Sequence, residues 1–168
     1  MRNRLLPWKT SEVCCSSTLL SSTMIKKTTT KKNSHTKSWY EKKLDEVFSQ
    51  YIRLKFSDAN GYCRCISCGH IHFWKEIQNG HYMSRRYKST RWSIDNCRPQ
   101  CVGCNVFNQG NIQMYRRALV KEIGEQRVSL VEARARQEVC KYSTWEYEQL
   151  IKDYTEKVKE LKAERGLS

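Results

Sequence analysis

The sequence predicts a small α+β protein organised around a cysteine-held metal, with one helix before the metal unit and several after it. Three features support this. Two Cys-x-x-Cys pairs, Cys65/Cys68 and Cys101/Cys104, stand with 32 residues between them. Residues 61–110 are rich in cysteine, glycine and aromatic residues and show little helical period. The flanking segments place apolar residues three and four apart, the spacing of one helical face.

Residues 1–38, with runs such as "SSTMIKKTTTKKNSHTKS", are rich in Ser, Thr and Lys. Such a composition buries too little apolar surface to offset the entropy of ordering, which predicts a disordered basic tail. Residues 39–60 follow as a helix. In "SWYEKKLDEVFSQYIRLKFS", Tyr40, Leu44, Val47, Phe48, Tyr51, Ile52 and Phe56 share a face, and Ser38 with Glu41 has the form of a capping box. Asn60-Gly61 signals a turn into the metal unit at 61–110. Residues 111–168 form a helical region. "NIQMYRRALVKEIG" is helical through Ile112, Tyr115, Leu119 and Ile123, with Gly124 as its C-terminal cap. "EQRVSLVEARARQEV" is a second helix. The third opens on a Ser143/Glu146 capping box and carries the stripe Trp145, Leu150, Ile151, Tyr154, Val158 and Leu161.

The net charge is +14, from 31 Lys+Arg against 17 Asp+Glu. Residues 1–38 hold eight basic residues and one acid, so +7 falls on the tail and +7 on the rest. A basic body points first to nucleic acid as partner. No apolar run approaches the roughly 18 residues of a membrane span.

Nine cysteines, an odd number, in a chain without a secretory apolar region favour metal binding over a disulfide framework. Two Cys-x-x-Cys turns can each offer two thiolates to one tetrahedral zinc, so Cys65, Cys68, Cys101 and Cys104 are the predicted ligands. Gly69 suits the left-handed turn that follows a first knuckle. Cys63 and Cys97 are expected in the core or just behind the ligands. The zinc has a structural purpose, since a unit of this size with few aliphatic residues is marginal without a staple. Between the knuckles lies "QNGHYMSRR", whose His81 invites a catalytic reading: a neutral imidazole can take a proton from water near pH 7. Tyr82, Trp74 and Trp92 are expected as the small core of this unit rather than as base-stacking residues.

A histidine between two knuckles, with Asn directly after the last cysteine, resembles the HNH or ββα-metal nucleases. The ordered set "YIRLKFSDANGYCRCISCG", "GHYMSRR", "TRWSIDNCRPQCVGCNVFNQGN" and "YRRALVKEIG" narrows this. Across residues 39–165 the chain resembles the NinG/Rap recombination proteins of lambdoid phages and prophages. The resemblance implies a zinc-stapled treble-clef or ββα (HNH-like) unit and a structure-specific endonuclease. Such an enzyme cuts branched DNA in phage recombination, in the cytoplasm of the bacterial host. It implies His81 as catalytic histidine, Asn105 as the metal-site asparagine and Asn96 as a brace for the hairpin that carries His81. It also implies a catalytic Mg²⁺ or Mn²⁺ beside the structural Zn²⁺. Arg85 and Arg86, with Arg98, are the guanidinium groups expected to face phosphates. Other recombination proteins and a second copy of the chain are the remaining partners in view.

The chain departs from the HNH pattern in two places. HNH enzymes commonly carry an acid directly before the histidine, where this chain has Gly80. This leaves two roles for His81, base or metal ligand. Family members often have His where this chain has Arg98, and an acid near Ser93; Asp95 is the nearest carboxylate and the remaining candidate for the divalent ion. The same scarcity of carboxylates sustains an alternative: a non-catalytic zinc module that binds branched or single-stranded DNA and recruits a recombination partner. The two readings separate on whether His81 and Asn105 converge on a point that solvent can reach.

Overall fold

The computed structural model describes residues 35–137 and 139–167. The predicted basic tail lies almost wholly outside them, as do Cys14 and Cys15.

The first helix, α1, spans Lys37–Lys55. Its cap is Thr36, whose hydroxyl accepts from Trp39 N at 3.3 Å, so the expected cap Ser38 lies inside the helix. Glu41 is therefore free for tertiary work. Its carboxylate accepts from Lys88 Nζ at 2.5 Å and from the Tyr147 hydroxyl at 3.1 Å.

Strands β1 (Tyr62–Arg64) and β2 (Ile71–Phe73) form an antiparallel pair around the first knuckle. A second antiparallel pair joins β3 (Gln78–His81) to β4 (Cys97–Gln100), with His81 opposite Cys97 and Gly80 opposite Arg98. The connection between them holds a short helix, α2 (Lys88–Arg91), and a 3-10 turn at Ile94–Asn96. After β4 the second knuckle enters a π-helix at Gly103–Phe107. Helices α3 (Ile112–Ile123), α4 (Glu125–Gln137) and α5 (Thr144–Arg165) complete the described chain. The architecture is α+β, with two small sheets among helices.

Two sequence expectations for α5 fare differently. The Ser143/Glu146 capping box is present. Trp145, expected in the apolar stripe, is 66% exposed, and Tyr147 is buried in its place. Two residues lie about 200° apart on a helix, so only one of these aromatics can face inward. Tyr147 is the one aligned with Tyr154 and Val158.

Helices α1 and α5 run parallel. Tyr40 stacks on Tyr147 near their starts, and Phe48 meets Tyr154 edge-on at 4.9 Å. At their far ends Arg165 donates to Leu54 O and, at 2.6 Å, to Ser57 Oγ. Their shared core also takes in Cys63, Trp74, Ile77, Trp92 and Cys97. The flanking helices thus supply the apolar mass that the cysteine-rich segment lacks. A second cluster, Tyr82, Tyr115, Leu119, Val128 and Val131, fastens α3 and α4 to the residue after His81. Among the described residues no helix is long and apolar enough to cross a membrane.

Candidate metal centre and adjoining cleft

The hairpin β1–β2 and the exit from β4 bring Cys65, Cys68, Cys101 and Cys104 together, with all four Sγ atoms within 4.8 Å of one another. Cys68 and Cys101 Sγ are 3.7 Å apart. Four sulfurs about 2.3 Å from a tetrahedral zinc would be separated by about 3.8 Å. The donor set and its spacing therefore fit a structural zinc. Gly69, directly after Cys68, has φ +80°, the left-handed turn the first knuckle needs.

Backbone and side-chain donors already point at the sulfurs. Cys101 N donates to Cys65 Sγ at 3.3 Å, Cys104 N to Cys101 Sγ at 3.4 Å, and Asn111 Nδ2 to Cys104 Sγ at 3.8 Å. Burial alone would push the Cys65 thiol up; backbone N–H groups from Cys101, Cys68 and Ser67 outweigh it and bring it down to about 7. At Cys65 these donors favour the thiolate; at Cys104 burial outweighs the Asn111 amide and pushes the thiol up to about 12, and burial raises Cys68 as well. Cys63 and Cys97 stand outside the cluster and are fully buried. The Cys63 thiol donates to Arg53 O at 3.0 Å.

Beside this centre lies a solvent-open cleft of about 670 Å³. His81 lines it from the end of β3 and Asn105 from the π-helix. The two residues the sequence singled out are thus brought to one cavity. Arg85 lines it as well, and so do Arg53 and Lys75, which the sequence reading did not select. Its carboxylate is Glu76, in the turn before β3, not Asp95. A Lys-Glu pair on a turn carries no sequence signal, since surface turns commonly hold both.

His81 Nε2 lies 3.0 Å from the Arg91 carbonyl. A carbonyl can only accept, so this nitrogen carries the hydrogen and the lone pair resides on Nδ1. Among the described residues nothing donates to Nδ1. Burial pushes the ring down to about 4; the Arg91 carbonyl opposes this and the Arg85 charge adds to it. The imidazole is neutral at pH 7.

Gly80 explains the missing acid. A Cβ built there would lie 2.4 Å from Gln100 Oε1 and 2.7 Å from Gln100 Cβ. Gln100 is itself immobilised, donating to Ser67 Oγ at 2.8 Å and to Gly110 O at 2.6 Å. No side chain fits at position 80 while that glutamine stays in place.

Asn96 is fully buried. Its Oδ1 accepts from Met83 N at 2.7 Å, and its Nδ2 donates to Met83 O and Thr90 O, both at 3.0 Å. It ties both arms of the loop that follows His81, and the Arg91 carbonyl lies one residue beyond Thr90. Asn105 Nδ2 donates to Gln78 Oε1 at 2.7 Å, which leaves its own Oδ1 without a hydrogen bond among the described residues.

Asp95 and Arg98 are placed elsewhere. Asp95 takes a forked pair from Arg127, with Nη2 at 2.6 Å and Nε at 3.3 Å, and does not line the cleft. Arg98 is 4% exposed; its guanidinium pairs with Glu122 at 2.6 Å, caps the Ile94 and Cys97 carbonyls, and lies 4.3 Å over the Phe56 ring. In this fold it holds β4 to its neighbours instead of facing a phosphate. Arg86 is exposed and folds over the Tyr87 ring at 4.6 Å. Tyr82, Trp74 and Trp92 are buried, as expected.

Comparison with known proteins bears on the whole of this arrangement. The family model described as bacteriophage lambda NinG protein matches residues 16–164. Protein ninG of Escherichia phage lambda is 30% identical over 123 residues, covering 70% of this chain and 58% of that protein. Protein ninG of Salmonella phage P22 is 31% identical over the same coverage, and that of Escherichia phage 933W is 28% identical. The chain thus spans about 58% of the length of the curated lambda and P22 relatives it matches. No solved structure matches it. The match of the family model runs through both knuckles, His81 and Asn105, and the chain belongs to the NinG family of bacteriophage proteins.

Proposed function

We propose that the protein is an HNH-like, ββα-type endonuclease that cuts branched DNA intermediates of phage recombination with a divalent ion. The observation that carries this reading is the convergence of His81 and Asn105 on one open cleft beside the cysteine cluster. In its support, β3, β4 and the following helical turn succeed one another in the order of that nuclease unit, with the histidine on the first strand and the asparagine on the helical turn.

The chemistry follows from the ring geometry. The Nε2–H bond to the Arg91 carbonyl holds the imidazole in the tautomer whose Nδ1 can accept a proton from water. The same carbonyl stabilises the imidazolium that results. A ring held near 4 is a weak base, but an anionic phosphate entering the cleft raises it toward the range where proton abstraction is efficient. Arg85 and Lys75 meet the non-bridging phosphate oxygens. Hard oxygen donors from Glu76 and the side-chain amides of Gln78, Asn79 and Asn105 line the same cleft, and they suit Mg²⁺ or Mn²⁺. Asn79 Oδ1 is a buried acceptor with no hydrogen-bond partner among the described residues. When bound there, such an ion would neutralise charge developing on the phosphate and the leaving oxygen.

The test is incubation of the zinc-loaded protein with labelled four-way, three-way and linear DNAs, with and without Mg²⁺ or Mn²⁺. Branched DNA should be cut only with the ion. His81→Ala should lose roughly 10²–10⁴-fold in rate while retaining zinc and DNA binding. More divalent ion should not restore it, whereas it should partly restore Asn105→Ala. A His81→Ala protein cutting at the wild-type rate would sink this reading. Tight branched-DNA binding with no cleavage under any ion would instead favour the non-catalytic recruiting module.

A further inference from the structure

We propose that Phe107 is a base-stacking wedge that engages unpaired or unstacked bases where a branched DNA opens beside the cleft. The inference rests on the reading that the cleft meets DNA, and it adds the element that would recognise a branch.

Phe107 ends the π-helix and is 82% exposed. It forgoes the burial that large aromatic side chains normally gain on folding. Its neighbour Val106 is 54% exposed and lines the cleft together with Asn105. Phe107 does not itself line the cavity that holds His81, Lys75 and Arg85, but it directly follows two residues that do, Asn105 and Val106. Trp145 on α5 and Trp39 on α1 are exposed too, but neither has a cleft-lining residue beside it in the chain.

The platform under Phe107 is rigid. Cys104, three residues earlier, belongs to the metal cluster. Two residues after Phe107, the run Gln109, Gly110 and Asn111 has φ of +47°, +84° and +43°. Consecutive left-handed residues are uncommon, and where they occur the surroundings must enforce them. Here Gln100 Nε2 donates to Gly110 O at 2.6 Å and Asn111 Nδ2 reaches Cys104 Sγ. The chain is locked on both sides of an aromatic ring that itself packs on little.

The occupant follows from charge and shape. A second copy would bring the same Lys75 and Arg85 to this cavity and be repelled. A polyanion with exposed π-faces satisfies both the cations and the ring. Apolar wedges and aromatic platforms are how proteins hold unstacked bases. An intact linear duplex offers no such face, so the contact is selective for branches, nicks and gaps.

The test uses full-length, zinc-loaded protein without Mg²⁺ or Mn²⁺, and a four-way junction carrying 2-aminopurine at the branch. Wild type should raise the probe's fluorescence, and Phe107→Ala should not. By anisotropy, Phe107→Ala should weaken junction binding roughly 5- to 150-fold, the worth of one stacked base. Linear-duplex binding and zinc content should stay unchanged, and Phe107→Trp should retain junction preference. The proposal fails if Phe107→Ala binds junctions as wild type does, or loses junction and linear binding equally. It fails too if the substitution instead dissociates an oligomer in sedimentation. Such a failure alongside ion-dependent junction cutting by wild type would leave the nuclease reading intact. A wild type with no DNA binding would remove both.

Discussion

The cysteine cluster and the His81 cleft share a stretch of chain, since Asn105 directly follows Cys104, but they are assembled differently. The cluster comes from two local turns with two-residue spacing, each delivering two sulfurs however the rest of the protein packs. The cleft draws on α1, the turn before β3, the loop after it and the π-helix at once. A local device tolerates changes in its surroundings; a composite one depends on every brace. Asn96, Gln100 and the Arg91 carbonyl are such braces, and none of them is a ligand.

The largest expected effect comes from breaking the local device. Structural zinc sites are worth on the order of 10 kcal/mol, comparable with a domain's whole stability. Cys68→Ser, or stripping the metal, should therefore unfold residues 61–110. Because Trp74, Trp92 and Cys97 share their core with α1 and α5, the helices should melt in the same transition. Far-UV and near-UV circular dichroism followed together will show this; a separate helical transition would mean the two regions are energetically independent.

The composite device should break more mildly. Asn96→Ala removes three hydrogen bonds from a fully buried site and leaves the Met83 and Thr90 groups unpaired. A loss of about 2–4 kcal/mol is expected, measurable by denaturant unfolding, with zinc content unchanged. If zinc is lost as well, the two sites are more tightly coupled than their construction implies.

The smallest effect is a pH slope. His81 has its folded pKa lowered from 6.5 to about 4. The unfolded state then binds the proton more readily, so this group's contribution is fully present above about 6.5 and is lost as pH falls toward 4. The total is at most about 3 kcal/mol. Since zinc thiolates also protonate in acid, the measurement is the difference in slope between wild type and His81→Asn over that window. Identical slopes would show that the ring is not held neutral by the fold.

The contrast also decides what was legible beforehand. The knuckles, the left-handed Gly69 and the Ser143/Glu146 box are spacing rules between near neighbours, and the structure contains each of them. The Ser38 cap failed because Thr36, two residues earlier, offers an equivalent hydroxyl and Glu41 is drawn to Lys88 and Tyr147. Trp145 fits the stripe by hydropathy, which cannot tell that Tyr147 is the aromatic that meets Tyr40 and Trp92. Arg98 looks like a phosphate ligand by composition, and only its burial beside Glu122 and Phe56 reveals a structural pair. Glu76 and Lys75 gave no signal at all.

The sequence by itself determined the four-cysteine cluster that can hold zinc, the positions of the helices and the basic character of the body, because those properties depend on residue type and short-range spacing. Only the tertiary structure decided that His81 and Asn105, far apart in the chain, face one cavity, that Gly80 has no room for an acid, and that Asp95 and Arg98 are committed to Arg127 and Glu122. Those outcomes depend on which strand pairs with which and on what packs across them, and a buried position accepts only the side chain its neighbours leave space for.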